Sequence, residues 1–124
     1  MRYLGIDYGS KRVGLARADE DLQIAVPYKT IESDSDEEKL KQLSSIVKDQ
    51  GISEIAVGLP LSTDGGGTAK SKEVREFIDE LKKEVDAEFH FIDERFTTQE
   101  AKSMGGEAGK DEKSAMLILD TYLG

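Results

Sequence analysis

Carboxylates stand at three places where this chain passes from one element to the next. Asp7 ends the apolar run Leu4-Gly5-Ile6, Asp93 and Glu94 end Phe89-His90-Phe91-Ile92, and Asp111 opens a late amphipathic stretch. Hard divalent cations take oxygen ligands, and Mg²⁺ typically uses one or two carboxylates and completes its shell with water and substrate phosphate. Two such ions about 4 Å apart activate a water and stabilise the leaving oxygen in phosphodiester cleavage. Three or four carboxylates suffice to hold them. Each acid also has a plainer reading. Asp7 suits a turn, bonding its own backbone, as well as it suits a site. Asp93-Glu94-Arg95 reads as a solvated strand end. Asp111 reads as an N-cap, and with two oxygens it can cap and ligate at once. An unpaired carboxylate at the tip of a buried strand is costly, so Asp7 needs a partner.

Small and basic residues lie beside these acids. Gly9-Ser10-Lys11-Arg12 follows Asp7, and Thr68, Lys70 and Lys72 follow the run Gly65-Gly66-Gly67. Lysine and arginine neutralise phosphate charge, and a helix start beside Thr68 favours anions. The glycine run reads either as a plain connection or as a mobile loop that orders over a phosphate. His90, the only histidine, sits between two phenylalanines and reads as structural. There is no cysteine, which excludes disulfides, thiolate metal sites and cysteine nucleophiles. A Walker A pattern is absent, and Gly5, Gly9 and Gly14 do not form a dinucleotide fingerprint.

The balance of 26 acids against 17 Lys plus Arg gives a net charge of −9, which on its face disfavours nucleic acid. The acids, however, gather around residues 32–36 and 73–88, while the basic residues gather near the glycine-rich segments, and a phosphate backbone meets a local patch. With 124 residues the chain is expected to form one domain spanning 1–124. No signal peptide or membrane span is evident, so the expected compartment is the cytoplasm.

The elements that must position these residues follow from patterning. Strands are expected over 2–7 and 12–18, joined as an antiparallel hairpin, and a third within 23–31, where Pro27 marks an edge. Ser35-x-x-Glu38 is a capping box before Leu40, Leu43, Ile46 and Val47 at helical spacing, with Gly51 as C-cap. Ile55–Gly58 reads as a buried strand. A second helix carries Val74, Phe77, Ile78, Leu81 and Val85 on one stripe. A strand over 88–92, a capping box at Thr97–Glu100, a flexible connection over 105–110 and a helix over 111–122 complete the chain. This order predicts an α/β fold with a mixed five-stranded sheet, an antiparallel meander followed by parallel strands, flanked by helices. The ribonuclease H-like architecture has this order.

The segments GIDYGSKRVGLA, AVGLPLSTDGGG, FIDERFTT and KDEKSAMLIL together resemble the motif regions of the YqgF/RuvX family, in the right order and over nearly the whole chain. That family comprises bacterial Holliday-junction-resolvase-like proteins also described as pre-16S rRNA nucleases. The resemblance implies a ribonuclease H-like fold and a metal-dependent endonuclease that processes the 5′ end of pre-16S rRNA in ribosome biogenesis. It implies Asp7, Glu94 and Asp111 as catalytic and metal-binding residues for a two-ion Mg²⁺ or Mn²⁺ site. Gly9, Ser10, Lys11, Arg12 and Arg95, with Thr68 and Lys70, are expected to bind substrate. The segment before Asp111 is short relative to the family pattern. The expected partner is structured RNA, bound by a monomer or weak homodimer. A resolvase cutting four-way DNA and a non-catalytic ribosome-assembly protein are the alternatives. The acid-glycine turn also resembles that of actin-like ATPases, but those need two domains and a second phosphate loop.

Overall fold

The computed structural model describes residues 1–21, 23–62, 64–94 and 109–124. Five strands form one sheet in the order β3-β2-β1-β4-β5. β1 (Arg2–Tyr8), β2 (Arg12–Asp19) and β3 (Val26–Glu32) make the antiparallel meander. β4 (Glu54–Leu59) adds parallel to β1, and β5 (Glu88–Asp93) adds parallel to β4. This is the mixed sheet expected from the order of elements. Pro27 lies in β3, an outer strand, where its missing N–H costs no ladder bond on the open side.

Alternation along the strands separates two faces. Leu4, Ile6 and Tyr8 of β1, with Val13, Leu15, Ile55 and Val57, join one core under α1 (Asp36–Gln50) and α2 (Ala69–Lys82). Ala16, Ala18 and Ala56 on the opposite face meet Ala115, Met116, Ile118 and Leu119 of α3 (Lys110–Leu123). Ser35 caps α1 by accepting from the Glu38 N–H at 3.2 Å, and Gly51 ends it in the left-handed region at φ 64°. Val85 falls beyond the end of α2, so the stripe read from sequence overran the helix, although Val85 still packs against the core. The capping box at Thr97–Glu100 and most of the expected connection lie outside the described residues.

Helix α3 comes unusually close to the sheet because its strands present glycine there. A Cβ on Gly5 would stand 2.7 Å from the Ala115 carbonyl oxygen, and one on Gly14 would fall on the Asp111 carbonyl. Gly58 leaves room for the Ile118 side chain in the same way. We expect Gly14→Ala to push the start of α3 off the sheet and to cost about 1–3 kcal/mol, the usual penalty of overpacking. Urea unfolding of the two proteins measures this.

Candidate active site and nucleic-acid cleft

The strand polarity sets the geometry of the site. β1 and β5 run the same way through β4, so Asp7 and Asp93-Glu94 emerge at the same end of the sheet. Asp7 is opposite Gly14 in the β1–β2 ladder. The first turn of α3 lies over Gly14 and so brings Asp111 to the same edge. Gly109 is the N-cap of α3 and has no side chain to cap with, while Glu112 accepts from the Gly109 N–H at 3.1 Å. Glu112 also accepts from the Thr30 hydroxyl at 3.0 Å. The capping duty read for Asp111 thus falls to Glu112, and the Asp111 carboxylate instead meets Arg12 Nε at 3.3 Å.

Electrostatics ties the three acids together. Burial pushes the Asp7 carboxyl above its ordinary range, Lys70 opposes this, Asp111 adds to it, and a Ser114 hydrogen bond opposes it. Burial likewise raises Glu94, with Asp7 the next cause, Lys70 opposing and Asp93 adding. Asp7 therefore feels Asp111, and Glu94 feels Asp7. Their oxygens are not all within 4.8 Å of one another; among the described residues only Glu54, Glu88 and His90 meet that closeness. The three carboxylates are linked through Asp7, two of them are substantially buried, and their oxygens are of the type that hard divalent cations take. Lys70 sits in the first turn of α2, which has no acid of its own. A cation there opposes the helix dipole, and the fields of Asp7 and Glu94 offset that cost.

Gly9, Ser10, Lys11, Arg12, Lys70 and Asp111 all line one open cleft of about 560 Å³. The structure thus brings together most of the residues singled out from sequence. Thr68 has a different duty. Its hydroxyl donates to the Pro60 carbonyl at 2.7 Å and accepts from the Ser71 N–H at 3.0 Å, so it caps α2 and has no proton left for a phosphate. Gly9 also serves the chain itself, since a Cβ there would stand 2.7 Å from the Arg12 carbonyl oxygen. The glycine run is cross-tied by Ser62 N–H to the Gly66 carbonyl at 3.0 Å and Gly66 N–H to Asp64 at 2.9 Å. Arg95 lies outside the described residues. A larger cavity of about 760 Å³ between α1 and α2 is ringed by Asp34, Asp36, Glu37, Glu73, Glu76 and Glu80, a charge that repels phosphate.

Sequence reasoning missed Lys39. It is fully buried, and its ammonium donates to the Gly9 carbonyl at 3.3 Å and the Ser10 carbonyl at 2.5 Å. It also meets Asp36 at 3.0 Å and lies over the Tyr8 ring at 5.0 Å. Asp36 in turn accepts from the Tyr8 hydroxyl at 2.6 Å. A lysine in a charged first turn looks solvated in sequence. Its position one residue before Leu40, beside the apolar stripe, was the available signal. Its effect is to pin the turn that carries Ser10, Lys11 and Arg12.

A five-stranded sheet ordered β3-β2-β1-β4-β5, with Asp7, Glu94 and Asp111 linked electrostatically and Asp111 lining an open cleft, describes a ribonuclease H-like nuclease scaffold. A family model described as RuvX, Holliday junction resolvase, matches residues 1–124, and the chain belongs to that family. A protein of Maridesulfovibrio salexigens named "Putative pre-16S rRNA nuclease" is 37% identical over 99% of this chain and 98% of its own length. One of the same name from Leifsonia xyli is 37% identical over 94% of this chain and 76% of its own. Among solved structures, Thermus thermophilus RuvC with a Holliday junction substrate shares the fold at a TM-score of 0.65 and 12% identity, covering 99% of this chain and 93% of that one.

The raised carboxyls have a consequence for stability. In the unfolded chain Asp7 loses its proton near 3.8, whereas the folded protein holds it to higher pH. The folded state therefore binds more protons across that window, and metal-free stability falls as pH rises through it. We expect Asp7→Asn to melt at a higher temperature than the parent at pH 7 without divalent metal. The difference should close as the pH is lowered past 3.8. Melting curves in EDTA across pH check this.

Proposed function

We propose that this protein is a divalent-metal-dependent endonuclease that cuts structured RNA, the precursor of 16S rRNA, at a site formed by Asp7, Glu94 and Asp111. The observation that carries this reading is the electrostatic coupling of Asp7 to both other acids at the edge of a cleft lined by Lys11, Arg12 and Lys70. The curated relatives' name supports RNA as the substrate. Such a substrate puts the enzyme in the cytoplasm. One cleft per chain suffices for a single-strand cut, so a monomer or weak homodimer can carry the reaction.

Asp7, Glu94 and Asp111 would hold Mg²⁺ or Mn²⁺, and a two-ion arrangement suits a set of three carboxylates. When bound, such ions polarise the scissile phosphate and lower the pKa of water at the site. The protein's own residues do the rest. Lys11 and Arg12 neutralise the phosphates flanking the cut. Lys70 reaches the cleft from the α2 side while its field lowers the Asp7 and Glu94 carboxyls. Arg12 holds Asp111 until a phosphate competes for the guanidinium. Lys39 keeps the Gly9–Ser10 turn in place beneath the substrate.

A cleavage assay on labelled pre-16S rRNA fragments beside a four-way DNA junction, with Mg²⁺, Mn²⁺ or EDTA, tests the reading. The expected result is metal-dependent cutting of the RNA, abolished in a well-folded Asp7→Asn protein. Preferred cutting of the junction would move the assignment to a DNA resolvase, and unchanged activity in the variant would remove Asp7 from the site. RNA affinity measured against salt gives a separate check. Lys11→Ala with Arg12→Ala should weaken binding and flatten the slope, because fewer counterions are released; an unchanged slope would exclude this cleft as the binding surface.

A further inference from the structure

A second cluster of ligand-type side chains lies at the opposite end of the sheet. Glu54 and Glu88 are the first residues of β4 and β5 and are paired in register. His90 is two residues further along β5 and so shares a face with Glu88. The two ends of β5 are about 17 Å apart at ordinary strand rise, which separates this cluster from Asp93 and Glu94. His90 Nε2 is 3.0 Å from Glu54 Oε1 and 3.9 Å from Glu88 Oε2. One ligand atom from each residue lies within 4.8 Å of the others. Two ligands bound about 2.1 Å from a tetrahedral ion stand about 3.4 Å apart, between the two measured separations.

The surroundings hold this set in place. The Tyr122 hydroxyl, from the last turn of α3, donates to Glu54 Oε1 at 2.9 Å. The Tyr122 ring stacks on the imidazole with centroids 4.7 Å apart. Glu54 is thus oriented by a hydrogen bond and His90 by ring packing, the outer contacts that orient metal ligands. Although burial raises it, the Glu54 carboxyl is kept below its ordinary range by hydrogen bonds with Tyr122, His90 and Glu88. Two carboxyl groups from neighbouring strands converge on one ring nitrogen. An imidazole nitrogen among the donors selects against Mg²⁺ and Ca²⁺, which take oxygen, and in favour of Zn²⁺ and its neighbours.

We propose that Glu54, Glu88 and His90 form a second metal site, for a divalent transition ion of the Zn²⁺ class, that ties the starts of β4 and β5 to the end of α3. Three protein ligands leave a fourth position for water. The site is independent of the nuclease reading, and its test does not use activity.

The only histidine in the chain makes the test unambiguous, because its ring signals report on one residue. Zn²⁺ is titrated into full-length protein carrying Asp7→Asn and Glu94→Gln, which removes competition from the other acidic site. The expected result is one equivalent bound by calorimetry, with saturable shifts of the His90 ring resonances and a raised melting temperature. Adding Glu88→Gln should weaken binding about tenfold or more, since losing a ligand costs at least as much as losing its outer partner. The Glu88 side chain is 75% exposed, so the amide leaves the fold in place. Excess Mg²⁺ should not displace the Zn²⁺. Ring resonances that do not move, or equal affinity with and without Glu88→Gln, would overturn the proposal and leave a hydrogen-bonded Glu–His–Tyr network that needs no metal.

Discussion

Helix α3 rests directly on backbone where β1, β2 and β4 present Gly5, Gly14 and Gly58. The alanines Ala16, Ala18 and Ala56 complete this bare patch. Depth of contact at this patch decides what reaches the edge of the sheet. With Cβ atoms in the way, the helix would stand off, and Asp111 and Ser114 would lie out of reach of Asp7. In the packed arrangement Ser114 and Asp111 both act on the Asp7 carboxyl, and Ile118 fills the room beside Gly58, near the Glu94 carboxyl. A choice of glycine over valine or isoleucine at three strand positions, unfavourable for strand formation, thereby sets the acids of the site. The helix–sheet contact positions chemistry as much as it buries apolar surface.

The net charge of −9 is compatible with a polyanionic substrate because the charge is partitioned in space. The groove between α1 and α2 collects six carboxylates. The cleft at the end of β1 collects Lys11, Arg12 and Lys70 and adjoins that groove, with Tyr8, Ser10 and Glu73 lining both. Lys39 links the two environments from inside. Its ammonium meets Asp36 on the acidic side and the Gly9 and Ser10 carbonyls on the basic side. A buried cation stable in that position requires all of these partners, so the turn and the first turn of α1 hold one another in register. Phosphate approaching over α1 or α2 meets like charge.

The mixed sheet and the helices α1, α2 and α3 were legible because each has a local signature. A hairpin of two short strands marked β1 and β2, and Ser35 and Gly51 marked the ends of α1. What escaped was decided by tertiary contacts. Thr68 has the right type and place for a phosphate ligand, but the nearby Pro60 carbonyl takes its proton. Lys39 was missed because only the folded chain brings the Gly9 and Ser10 carbonyls, which need a donor, to its ammonium. Asp111 and Glu112 are adjacent acids, and only the path of α3 over Gly14 decides which caps and which faces Arg12. His90 reads as structural from its phenylalanine neighbours, yet Glu54 arrives from the next strand at a distance in sequence that pattern does not measure.

Chain topology explains why the proposed nuclease site lies at this end of the sheet. β1 has an antiparallel neighbour on one side and a parallel neighbour on the other, so the connections diverge from it. The β1–β2 turn stays short, while the segment after β4 must cross back through α2 to reach β5. These two departures open a crevice beyond the carboxyl ends of β1 and β4, where open α/β sheets bind ligands. Asp7 stands at one lip and Lys70, at the start of the crossover helix, at the other. Opposite charges across the crevice solve two problems together. The lysine limits the repulsion among the acids, and it gives the crevice a positive wall.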